Sequence, residues 1–90
     1  MSISGTDTQG ISVSGIHLNM TDPSASGIVV TGNIDYLSIK DCEIQHPTTG
    51  TLTTDAVGVK INTTNNDAFN IILENNHFLN NVLYIHIFLL

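Results

Sequence analysis

One pattern recurs three times along this chain: apolar, any, apolar, any, turn residue, any, any, apolar. It fits Ile11-Ser12-Val13-Ser14-Gly15-Ile16-His17-Leu18, then Leu37-Ser38-Ile39-Lys40-Asp41-Cys42-Glu43-Ile44, then Ile71-Ile72-Leu73-Glu74-Asn75-Asn76-His77-Phe78. The copies start 26 and then 34 residues apart, at 11, 37 and 71. A second short apolar run recurs between them as Gly27-Ile28-Val29-Val30, Gly58-Val59-Lys60-Ile61 and Asn81-Val82-Leu83-Tyr84, with Met1-Ser2-Ile3 as a first copy. Unequal spacing is compatible with stacked repeats, because insertions fall in surface loops while strand positions keep their register.

Alternation at period two within each copy predicts short strands. The inventory agrees, with twelve Ile, eleven Thr, ten Asn, seven Ser and seven Gly against three Ala. These types fit pleated strands and tight corners better than helices. Each turn of chain then reads as a leading strand (28–30, 59–61), a middle strand (11–13, 37–39, 71–73), a two-residue corner and a trailing strand (16–18, 42–44, 76–78). Three short strands per coil, stacked on their equivalents, predict an all-β parallel β-helix of about three coils. Inward rows would be Ile11/Leu37/Ile71, Val13/Ile39/Leu73 and Leu18/Ile44/Phe78. The first corner position holds Gly15, Asp41 and Asn75, the residue types that best tolerate a positive φ. At the second, Ile16 and Cys42 give way to Asn76, which is costly inside unless it bonds backbone at the bend. Coils are expected over 1–81, with 82–90 an apolar segment that starts a further coil or marks a truncation.

These segments resemble the right-handed parallel β-helix repeats of the pectin-lyase-like superfamily, which includes pectate lyases, polygalacturonases and phage tailspikes. The resemblance covers 10–81. It implies the right-handed winding and a polysaccharide-associated role, and it places a parent protein outside the cell, on a cell surface or on a virion. Residues 1–10 carry neither the basic stretch nor the apolar run of a signal peptide. The expected function is a non-catalytic binding or scaffolding segment. The alternatives are a fragment of a polysaccharide lyase or glycoside hydrolase whose catalytic residues lie elsewhere, and a structural adhesin without a sugar ligand.

Charge narrows the partners. Two Lys, no Arg and eight Asp plus Glu give a formal charge of −6, so no cationic surface is expected for nucleic acid or anionic membrane. The nine residues 82–90 are too few to cross a bilayer as a helix, which takes about 20. Expected partners are a polysaccharide, further β-helix coils, or a second copy met through exposed ends. The single cysteine, Cys42, cannot form an internal disulfide.

The chemistry-bearing residues are few. Thr53-Thr54-Asp55-Ala56-Val57-Gly58 resembles the Asn-Thr-Asp-Gly element that supplies a polygalacturonase carboxylate, so Asp55 is the one catalytic candidate. Two of its four positions depart from that element, and the chain has no Asp-Asp pair, Gly-His-Gly or Arg-x-Lys. A glycosidase needs its second acid within ~5–10 Å. Lys60 faces outward, with Val29 and Leu83 as expected row mates, which builds no anion clamp. The Thr- and Asn-rich stretches 46–57 and 62–69 suit sugar hydroxyls, and Asn62-Thr63-Thr64 matches a glycosylation sequon. Tyr36, Asp55, Lys60 and Asn62 are the candidate ligand contacts. His17, Glu43 and His77 line one outward row and form the candidate metal set; no cofactor is required, and calcium is implied only for a longer parent.

Overall fold

The computed structural model describes residues 1–63 and 70–89, with backbone only for 6–9, 63 and 88–89. Its elements are all strands: β1 (Ser2–Ser14), β2 (His17–Asn19), β3 (Ile28–Lys40), β4 (Glu43–Gln45), β5 (Val57–Thr63), β6 (Asn70–Glu74), β7 (His77–Leu79) and β8 (Leu83–Leu89). Every pairing is parallel. The larger sheet runs β1-β3-β5-β8 with β6 also on β3, and the smaller runs β2-β4-β7. Strands adjacent in sequence therefore do not pair with each other. The chain returns each time to lay a strand beside its own equivalent, the crossover that parallel pairing requires.

The register follows the repeat. Ile11 lies opposite Leu37 and Leu37 opposite Ile71; Val13, Ile39 and Leu73 form the next row; Leu18, Ile44 and Phe78 form the third. Each row exposes little apolar surface at its centre. Leu37, Ile39 and Ile44 are buried, while Ile11, Leu18, Ile71, Leu73 and Phe78 at the two ends of their rows are partly covered. The corners bend as their residue types predict, with φ of 69° at Gly15 and 55° at both Asp41 and Asn75. Asn76 meets its condition. Its Oδ1 accepts from the Cys42 amide (3.0 Å) and its Nδ2 donates to the Ile39 carbonyl (2.9 Å).

Three readings need correction. First, the expected pair of short strands joined by a loop is one strand of 13 residues in both β1 and β3. Pairing continues through the bend by a register shift, since two residues separate Gly5 from Thr8 where one separates Gly32 from Ile34. The bulge allows a close approach: a Cβ at Gly32, where φ is 105°, would sit 2.0 Å from the Gly5 carbonyl oxygen. Ile34, just past it, is 1% exposed and belongs to the core. In the first two repeats two strands, one long and one short, replace three short ones, while β5, β6 and β7 of the third are separate elements.

Second, β8 begins at Leu83, and its register on β5 sets His86, rather than Leu83, beside Lys60. Leu83 pairs with Val57, Ile85 with Val59 and Ile87 with Ile61. An odd slip would have turned these three outward, because side chains alternate faces along a strand; the observed register keeps them in the inward rows. Third, His46, read as the start of a solvated loop, is 0% exposed. Its Nε2 donates to the Ala25 carbonyl at 2.6 Å, tying the segment after β4 to the segment before β3. Nδ1 has no partner among the described residues.

Candidate functional site

The inward rows dictate an outward grid, since the intervening residues of each strand point the other way. On the half of the larger sheet formed by β1, β3 and β6, its rows are Gly10/Tyr36/Asn70, Ser12/Ser38/Ile72 and Ser14/Lys40/Glu74. Tyr36 is 60% exposed and Ile72 48%. Around them stand serine hydroxyls and an asparagine amide, which offer donors and acceptors without charge. Neighbouring rows of this face lie about 4.8 Å apart, the spacing of parallel strands.

Its charges are paired locally. Lys40 Nζ lies 3.6 Å from Glu74 Oε2 on the neighbouring strand, both side chains partly in solvent, a pair worth ~0–1 kcal/mol. Across the corner, Asn75 Nδ2 donates to Asp41 Oδ1 at 2.6 Å. On the smaller sheet one outward row is His17/Glu43/His77. Glu43 offers Oε1 to His77 Nδ1 at 3.2 Å, while its Oε2 lies 3.7 Å from His17 Nδ1. The two imidazoles thus take opposite oxygens of one carboxylate. Among the described residues no three His, Cys, Asp or Glu form a group that could hold a metal ion.

The remaining candidates are dispersed. Lys60 stands in the row Val29/Lys60/His86 and Asn62 opposite Thr31, on the half of the larger sheet before the Gly32 bend. Tyr36 lies on the half after it. Asp55 is exposed in the connection between β4 and β5. There its amide bonds Thr53 Oγ1 (3.2 Å) and its carbonyl accepts from Ser26 Oγ (2.8 Å) and the Val57 amide (2.8 Å). These bonds hold the start of β5 against the chain before β3, an anchoring role for the backbone of Asp55. From Thr64 onward the 62–69 stretch, and with it the last sequon position, lies outside the described residues.

Sequence reasoning passed over Ser12, Ser38, Asn70 and Ile72 as site residues. The signal was present, since each sits one position from an inward row residue. Comparison with protein-family models, with curated proteins and with solved structures finds no match for this chain. The class is therefore the one its own geometry defines, an all-β chain of two parallel sheets.

Proposed function

We propose that this chain is a stretch of right-handed parallel β-helix of the pectin-lyase-like kind, serving as a non-catalytic, polysaccharide-associated binding or scaffolding segment of a surface or phage-tail protein. The observation that carries the reading is the in-register outward grid around Tyr36, a hydroxyl- and amide-bearing face with an exposed aromatic ring. The repeated return of each strand to its own equivalent supports the winding. Against an enzyme stand the isolation of Asp55, the lack of arginine and the dispersal of the other candidates.

The test is binding of the purified chain to a panel of immobilised polysaccharides, with release of new sugar ends followed in parallel. Binding without cleavage is the expected result. Cleavage abolished by Asp55→Ala would replace this reading with the enzyme fragment. Absence of binding to every glycan would leave the chain a structural adhesin or assembly segment.

A further inference from the structure

Carboxylates outnumber ammonium groups around the Tyr36 face, and the exposed Asp35 stands next to Tyr36 in β3. Lys40 is held by Glu74, Glu43 lies between two imidazoles, and Asp41 accepts from Asn75. The other lysine, Lys60, stands on the other half of the sheet, and there is no arginine. A polymer carrying an acid on each sugar would bring its charges to Asp35, Asp41, Glu43 and Glu74, with the one ammonium group of this half of the sheet, Lys40, already beside Glu74. Like charges disfavour such an encounter, most strongly at low ionic strength. What the face does offer is uncharged: the Tyr36 ring, the Ile72 side chain, the hydroxyls of Ser12, Ser14 and Ser38, and the Asn70 amide.

Resting on the polysaccharide reading above, we propose that the ligand of this face is a neutral polysaccharide, built of hexose or N-acetylhexosamine units without carboxylate, sulfate or phosphate. The apolar C–H face of a pyranose lies on the Tyr36 ring, which is amphipathic and costs little conformational entropy to order. Sugar hydroxyls exchange hydrogen bonds with Ser12, Ser38 and Asn70, whose groups both donate and accept. The strand spacing of about 4.8 Å is close to the length of one sugar unit, so a polymer laid across the strands meets about one unit per layer. This differs from the uronate polymers that the resemblance to pectate lyases implies.

The experiment is affinity electrophoresis and binding isotherms of the full chain with dextran, galactomannan, polygalacturonate and heparin, at low and high ionic strength and with a chelator present. At least one neutral polymer is expected to bind, with an affinity that changes less than about twofold between the two salt conditions. Tyr36→Ala should weaken it at least about tenfold, and Tyr36→Phe, which keeps the ring, should stay within about twofold; thermal melts check that both variants are folded. Tighter, Tyr36-dependent binding of polygalacturonate or heparin would overturn the neutral assignment while the polysaccharide reading stood. Neutral binding indifferent to Tyr36→Ala would overturn the assignment to this face. Binding to none of the four polymers would overturn the inference, and the broader panel would then decide the reading beneath it.

Discussion

The ring of Tyr84 lies on that of Phe78, centroids 5.2 Å apart and planes 12° from parallel. Register explains why a tyrosine fits. Pairing of Val57 with Leu83 and of Val59 with Ile85 sets Tyr84 opposite Gly58, and Gly58 in turn is opposite Gly27. Both glycines are required where they stand, since an added Cβ would come 2.6 Å from Ile44 Cγ2 at Gly27 and 2.5 Å from Phe78 Cδ1 at Gly58. In each of these layers a side chain of the smaller sheet fills the space against glycine. In the β8 layer no strand of the smaller sheet follows among the described residues, so the ring occupies that space and covers Phe78.

Tyr84→Ala should lower stability by about 0.5–1.5 kcal/mol for the ring pair, near the lower end because Tyr84 is 60% exposed. Tyr84→Phe should be within error of the parent in urea unfolding. The chain has no Trp and two Tyr, so in a Tyr36→Phe background the near-ultraviolet tyrosine circular dichroism reports Tyr84 alone. A flat signal there would rule out a fixed stack.

Asn76 satisfies two backbone groups from one side chain, the Cys42 amide and the Ile39 carbonyl. Asn76→Ala leaves both unpaired at a part-buried corner and should cost about 2–3 kcal/mol. Asn76→Asp keeps the acceptor and loses the donor. Equilibrium denaturation should rank the parent first, and an alanine variant as stable as the parent would show that water replaces the amide.

Glycine is needed for different reasons at two bends. At Gly15, φ is 69° but nothing lies within 4 Å of an added Cβ, so Gly15→Ala should cost only the left-handed backbone penalty of ~1–2 kcal/mol. Gly15→Asn, matching Asn75 in the same row, should cost less. Gly32→Ala meets the Gly5 backbone and should prevent a cooperative fold, read as loss of the thermal transition in circular dichroism.

Ile85 and Ile87 point along the inward rows yet are 39% and 43% exposed, because no described strand lies beyond β8. An apolar edge strand without charge is a site of association between copies. Placing Lys at both positions should raise the monomer fraction in light scattering. The change moves the net charge from −6 towards zero, which weakens mutual repulsion; a rise in monomer would therefore report the edge and not the charge. Unchanged or increased association would remove β8 from the interface.

Local chemistry made the rows and corners legible. Alternation separates Leu37 and Ile39 from Ser38 and Lys40 without knowledge of any partner, and Gly15, Asp41 and Asn75 mark the bends because few other residues accept their φ. Once two copies were aligned, the pairing of Lys40 with Glu74 and the outward position of His17, Glu43 and His77 followed.

Other features depend on which distant strands meet. Nothing local says that β3 runs unbroken past Gly32, because continuity there comes from the Gly5 backbone pressed against it and from Ile34 entering the core. Nor does the run 83–89 reveal its register, since every even slip pairs apolar residues with apolar ones and alternation excludes only the odd slips. His46 is buried by the chain before β3, which brings the Ala25 carbonyl to it from 21 residues away. Sequence alone determined the inward and outward alternation, the corners at Gly15, Asp41 and Asn75 and the charge poverty of this protein, all of which are properties of neighbouring residues. The tertiary structure decided the bulge, the register of β8, the sharing of Glu43 by two imidazoles and the separation of Asp55 and Lys60 from Tyr36, because each depends on how long-range parallel stacking sets one layer upon the next.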